Sequence, residues 1–209
     1  MPSLQSLRRK ITAFKNTQKI TKAMKMVAAA KLKRSQDRIL AARPYALKMR
    51  GVLSNLSRCV NRSSHPLLQK RQGKKVEVLV VASDRGLCGG FNGNIVRKSA
   101  EFVPESEARG LQVNVGIEGR KGRDYFRRRT WTIGQEWTGI FDKLTFEHAI
   151  DIGGDLTDHF VKGTLDELYI VYNEFESAIQ QRVIVEKLFP VDAAAECGTV
   201  RRGTQDNRS

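Results

Sequence analysis

Residues 17–34 read "TQKITKAMKMVAAAKLKR". The stretch has no glycine, no proline and no acid, and Lys, Ala, Met, Leu and Gln are all strong helix formers. It carries Lys19, Lys22, Lys25, Lys31, Lys33 and Arg34, yet apolar residues point to more than one side of the helix it implies. A surface helix needs only one apolar stripe. A basic helix that is apolar on several sides therefore asks what surrounds it.

The same composition extends the helix outward from residue 3 to about residue 58, with Ser3 placed to cap its N-terminus. Pro44 is the one breaker, expected to kink the helix or to end its first segment near Arg43. At about 1.5 Å per residue the stretch reaches roughly 80 Å, well beyond the width of a small domain. At 100° per residue, Leu4, Leu7, Ile11 and Phe14 share one face, and Ala28, Leu32 and Ile39 continue it with a modest drift. That is the pattern of a coiled-coil seam, which needs a partner helix. Ile20, Met24 and Val27 lie nearly opposite, with Lys15, Lys19, Lys22 and Lys33 in a stripe between. A solvated helix docked on its own domain accounts for the seam but not for this second face. Leaving the three residues in water forgoes about 1.5–3 kcal/mol each. A shaft accounts for both faces, with one on a helix and the other inside a sleeve of apolar and acidic groups.

The charge belongs to the same element. Of the 37 Lys and Arg in the 209 residues, fourteen lie in residues 1–50 against one acid, Asp37, leaving 23 bases and 21 acids for the rest. The net +15 is thus an excess on one helix, which predicts an acidic partner: nucleic acid, anionic lipid or an acidic protein surface. No apolar run approaches the roughly 20 residues of a membrane span. Cys59, Cys88 and Cys197 are odd in number and irregular in spacing, which implies no disulfide framework, and they form no metal-ligand pattern with His65, His148 and His159.

Beyond the helix, residues 61–75 form a polar connector, and then the pattern changes. "VEVLVVAS" (76–83) is a β-branched run that reads as a buried strand. A glycine-rich loop follows, then a helix at 95–103, a strand at 111–119, a short helix at 121–129 and a strand at 130–137. A helix at 143–162 places Leu144, Ala149, Ile152, Leu156 and Phe160 near one face, and 166–175 with 181–189 make a hairpin. Strands alternating with helices indicate an α/β sheet, here a Rossmann-like α/β domain. The expected organisation is a long helix at 1–58, a connector at 59–75, the α/β domain at 76–192 and a disordered tail at 193–209, where no apolar period remains.

"SDRGLCGGFNGN" (83–94) follows a strand and precedes a helix, as phosphate-binding loops do, but it matches neither GxxxxGK[ST] nor GxGxxG. It reads as a tight structural loop built on Asp84, Arg85, Gly86, Cys88, Gly89 and Gly90. Cys88 reads as a small buried or half-buried residue, Arg127–Arg129 as a solvated helix end, and Asp166 with Glu167 as ordinary turn and strand-edge acids.

"NTQKITKAMKMVAAAKLKRSQ", then "ARPYA", then "VVASDRGLCGGFN", in this order and separation, resemble the gamma subunit of the F-type ATP synthase, most of all its bacterial form. The likeness runs from residue 1 to about 190. It implies a central rotor stalk with no catalytic residues, cofactor or metal of its own. Its partners would be a head of alternating alpha and beta subunits, the epsilon subunit, the delta subunit in the same head complex, and a ring of c subunits. It implies attachment to the cytoplasmic side of the bacterial inner membrane only through the complex, and no role for nucleic acid. Carried over by position, Lys19, Ile20, Lys22, Met24, Lys25, Val27 and Lys31 would face an acidic loop of the beta subunit, and Arg43, Pro44 and Tyr45 would lie toward the c ring. In the family a second long helix follows the α/β domain and pairs with the first. This sequence reaches Ser209 without it, as expected of a fragment, of a truncated or frame-shifted gene, or of a rotor completed by a second chain. The alternative from another class is a basic nucleic-acid-binding protein. It explains the charge but not the second apolar face, and the basic helix lacks interleaved aromatics for stacking.

Overall fold

A computed structural model describes residues 3–177 and 180–191. The proposed tail at 193–209, with Cys197, lies outside the described residues. The chain divides between Leu53 and Ser54 into two compact units.

The first unit is built on one helix, α1, Leu4–Cys59, which continues into the second. Its 56 residues correspond to about 84 Å. Ser3 caps it as expected, its Oγ accepting from the Ser6 amide at 3.3 Å. The expected end near Arg43 is corrected: α1 runs on through Pro44. Proline removes one amide donor, but its φ near −65° is helical. On a helix this exposed, water can serve the carbonyl left over.

The second unit holds β1 (Lys75–Val81), α2 (Phe91–Ala108), β2 (Gln112–Glu118), α3 (Arg120–Phe126), β3 (Ile133–Trp137), α4 (Phe146–Val161), β4 (Glu167–Phe175) and β5 (Gln181–Phe189). The sheet order is β3-β2-β1-β4-β5, with β1 to β4 parallel and β5 antiparallel to β4. The chain walks outward from β1 to β3 through α2 and α3, then returns through α4 to β4 on the other side of β1. Right-handed crossovers therefore put α4 on the opposite face from α2 and α3. The cores agree. Val76, Val78 and Val80 pack with Ile95, Val103 and Phe126, while Leu79 packs with Ile152, Leu156 and Phe160. β1, the central strand, is buried on both faces, which is why its sequence shows a continuous run rather than an alternation.

Several boundaries differ from expectation. The helix expected to stop at residue 103 continues through Pro104 to Ala108, because Val103 and Ser106 are buried on the sheet. Leu144 precedes α4 and Ala149 is exposed, so the buried face of α4 is Ile152, Leu156 and Phe160 alone. The strand expected from residue 130 begins at Ile133. In the connector, Arg71 donates to the carbonyls of Phe160 and Leu165 and stacks on the Phe160 ring at 4.4 Å. A cation thus meets the negative C-terminal end of α4.

Asp166 is not an ordinary turn acid. It is buried and accepts from the Lys75 amide at 3.0 Å. Glu167 sits half-buried against Lys187 and the Tyr169 hydroxyl. Glu77, on β1, is the other buried acid among the described residues, its Oε1 lying over Gly116 and Gly134. Burial pushes its carboxyl above the ordinary value, against an opposing pull from His159. A raised carboxyl opposes folding at neutral pH and stops doing so as the group protonates. Glu77→Gln is therefore expected to raise Tm by a few degrees at neutral pH, with the gain shrinking as pH falls below the folded value. Differential scanning calorimetry at two pH values would show it, and an equal gain at both would rule out the burial cause.

Candidate functional site

The residues of α1 up to Leu53 are exposed almost throughout, and Ser57 is the only buried residue of the helix. The seam residues Leu4, Leu7, Ile11, Phe14, Leu32 and Ile39 are 38–72% exposed, and Ala28 is exposed as well. Ile20, Met24 and Val27 on the second face are 57–63% exposed. Exposed apolar surface on this scale marks an interaction surface rather than a finished one. Lys19, Lys22, Lys25 and Lys31 make no ion pair among the described residues. Lys33 pairs with Asp37 at 3.0 Å, both well exposed, a geometry that contributes little in water. The helix thus presents two apolar faces and a basic stripe. Arg43, Pro44 and Tyr45 sit together on its exposed surface toward the C-terminal end, with Tyr45 66% exposed.

The glycine-rich loop is the second feature. It leaves β1 where the order of crossovers reverses, the position at which open α/β sheets bind ligands. Here its inner polar groups are already taken. Asp84 accepts from the Arg120 amide at 3.0 Å, and its two oxygens accept from the Gly139 amide at 3.1 and 3.0 Å. Burial pushes the Asp84 carboxyl up, but the amides of Arg120, Gly139 and Phe141, with the Arg120 charge, outweigh it and hold the group below its ordinary value. Asn92 closes the loop from the other side. Its Oδ1 accepts from the Ser83 amide at 2.9 Å, and its Nδ2 donates to the Arg85 carbonyl at 3.2 Å. Of the loop residues given a structural role, Asp84 and the Arg85 carbonyl take part in these bonds. Asn92 and the two distant amides take part too, and no sequence signal links positions 36 and 55 residues apart.

One expectation on this loop is corrected. Cys88 is exposed, not buried, with Asn92 Nδ2 at 3.1 Å from its Sγ. The tip turns outward because Leu87 takes a φ of 59° and Gly89 one of 60°, which leaves Leu87 in solvent. Arg127–Arg129 are exposed as expected; Arg127 pairs with Glu136 at 2.7 Å and Arg129 stacks on Tyr125 at 4.3 Å. Among the described residues there is no metal-ligand cluster, and no helix is long and apolar enough to cross a membrane.

A family model described as ATP synthase matches residues 3–208. The ATP synthase gamma chain of an Anaeromyxobacter species is 43% identical over 201 residues, covering 95% of this chain and 69% of that one. The gamma chain of Pelotomaculum thermopropionicum is 40% identical over 202 residues, covering 97% and 70%, and that of Sorangium cellulosum is 45% identical over 215 residues, covering 91% and 66%. This chain therefore spans about two thirds of the length of these relatives. Among solved structures, a chain of the Tetrahymena thermophila mitochondrial ATP synthase central stalk and c ring superposes with a TM-score of 0.65 at 26% identity, over 82% of this chain and 72% of that one. A chain of the Euglena gracilis mitochondrial enzyme shares the fold, with a TM-score of 0.51 at 18% identity, over 87% and 55%. The nucleic-acid-binding alternative finds no support in these relatives, and by the family model and the gamma chains it matches, this chain belongs to the ATP synthase gamma-chain family.

Proposed function

We propose that α1 works as the shaft of a rotary ATP synthase and that this chain performs no bond chemistry. The observation that carries the proposal is the exposure of apolar residues on two nearly opposite faces of one basic helix. The face of Leu4, Leu7, Ile11, Phe14, Ala28, Leu32 and Ile39 pairs with a helix. The face of Ile20, Met24 and Val27, with Lys19, Lys22, Lys25 and Lys31 on and beside it, turns inside the alpha–beta head against acidic groups of the beta subunit. Long Lys stems suit a sliding contact, covering apolar surface while their charged ends reach acids. Each angular position presents a different face to each beta subunit and so favours a different conformation there, a population shift imposed mechanically. Proton flow through the c ring supplies the rotation. Arg43, Pro44 and Tyr45 lie toward that ring, the epsilon subunit binds the α/β unit, and the delta subunit belongs to the same head. The complex holds the chain at the cytoplasmic side of a bacterial inner membrane.

The test is reconstitution of the 209-residue chain with alpha and beta subunits. A complex is expected on gel filtration. Lys19→Glu, Lys22→Glu and Lys25→Glu together should weaken it about 10–100-fold, because each reversed charge meets an acidic surface. Raising the salt should weaken the native complex and spare the reversed one. No association with alpha and beta, alongside steep salt-dependent binding to duplex DNA, would overturn the proposal in favour of a nucleic-acid-binding role.

A further inference from the structure

We propose that α4 and the adjoining sheet form a docking groove for a basic amphipathic helix supplied by another chain. The surface lies wholly in the α/β unit and is independent of the role given to α1.

Around α4 the residues sort into three faces. Ile152, Leu156 and Phe160 are buried against the sheet. Next to them Phe146, Ile150 and Val161 form a ridge that is 76%, 57% and 49% exposed. Gly153 and Gly154 sit in the middle of that ridge, and a Cβ at either would meet nothing within 4 Å. Glycine inside a helix is less favourable than alanine, and here no neighbour within the unit requires it. Two adjacent glycines leave a flat place where a second backbone can approach closely. Beyond the ridge runs an acidic row, Glu147, Asp151, Asp155 and Asp158. α4 contains no Lys or Arg, although the whole chain carries +15. Among the described residues the row's ion pair is Asp158 with Lys162 at 3.1 Å.

Beside the ridge α4 leaves part of the sheet uncovered. A cavity of about 450 Å³ opens there, with Leu79, Ile170 and Leu188 on the sheet side and Ile150, Gly153 and Thr157 on the helix side. An apolar trough edged by a flat glycine step and then by carboxylates complements a helix with an apolar stripe flanked by Lys or Arg. Such a helix would lay its stripe in the trough and set its basic stems over the acidic row. Charge selects the occupant, since an acidic helix would meet like charges at the rim.

The experiment uses the full 209-residue chain and two labelled amphipathic peptides of about 18 residues, long enough to hold helix once packed. One carries Leu and Ala on one face and Lys on the other; its twin carries Glu in place of Lys. Because the basic, apolar faces of α1 can themselves hold the Glu peptide, the groove is read from the Lys peptide: fluorescence anisotropy should show it binding, more weakly as salt rises. Gly153→Leu, which fills the step, should abolish binding, whereas Gly153→Ala should preserve it. Asp151→Asn, Asp155→Asn and Asp158→Asn together should weaken the Lys peptide without lowering Tm, so the proposal stays testable even if the leucine variant fails to fold. No binding of the Lys peptide would overturn it, as would Lys-peptide binding indifferent to the Asn changes, and the Glu peptide, which those changes should leave unaffected, serves as the control. Concentration-dependent self-association of the chain that is lost with the Asn changes, without peptide binding, would assign the groove to a second copy instead.

Discussion

Gly119→Ala is expected to destabilise the α/β unit by about 3–5 kcal/mol, the range of strong steric lesions, and to lower Tm by roughly 6–20 °C. Gly119 lies between β2 and α3 at a φ of +97°, a region that an L side chain enters only with strain. A Cβ there would stand 2.5 Å from the Ala82 carbonyl oxygen, 2.8 Å from its carbon and 3.0 Å from the Ser83 carbon. All three are backbone atoms, so no rotamer change relieves the clash. Nor can the backbone easily give way. The Ala82 amide donates to the Glu118 carbonyl at 2.8 Å, the Gly119 amide to the Trp137 carbonyl at 2.8 Å, and the Lys121 amide to the Ser83 carbonyl at 3.0 Å. The exits of β1, β2 and β3 meet at this point. Gly110→Ala is the control: its φ is +80°, but nothing lies within 4 Å of the added carbon. It should cost only the conformational strain, about 1–2 kcal/mol. Urea melts of both variants would decide the matter, and equal losses would refute the backbone clash.

Asp84→Asn is expected to cost about 2–3 kcal/mol at neutral pH, because one carboxylate serves amides from two distant loops and an amide side chain cannot. The Asn nitrogen would confront a backbone donor where the second oxygen now accepts from Gly139. The pH dependence follows from the direction of the shift. Asp84 is held below its ordinary value in the folded chain. Its contribution is therefore complete above the unfolded value, near 3.9, and is lost as pH falls through the folded one. The asparagine does not titrate, so the stability gap between the two proteins should be largest at neutral pH and narrow in acid. A gap unchanged between about pH 7 and pH 3 would show that the carboxylate charge is not the cause. A change in the position of Leu87 and Cys88, followed by thiol labelling at Cys88, would report how far the loop tip depends on the same clamp.

Both sites qualify what could be read from the chain alone. The loop at 83–94 was recognisable as a structural turn because its glycines are a local signal. Its actual fasteners, the amides of Arg120 and Gly139, are backbone groups that carry no residue-type signature. Its residue type makes Cys88 a small buried or half-buried residue, yet the positive φ of Leu87 turns the tip into solvent. Propensity makes Pro44 a breaker, and the helix expected at 95–103 stops short of Pro104. In α1 the helix is exposed enough for water to serve the freed carbonyl, and in α2 the burial of Val103 and Ser106 holds the helix past the proline.

The long helix, its two apolar faces, its basic excess and the alternation of strands with helices were all legible in residue order. They rest on periodicity and composition over neighbouring positions, and a period of 3.6 or of 2 requires no knowledge of the rest of the chain. The sheet order β3-β2-β1-β4-β5, the sharing of Asp84 among three segments, the backbone contact that demands glycine at 119 and the open groove beside α4 emerged only from the folded unit. Each depends on atoms brought together from positions far apart in the chain, where packing and hydrogen-bond geometry decide the outcome.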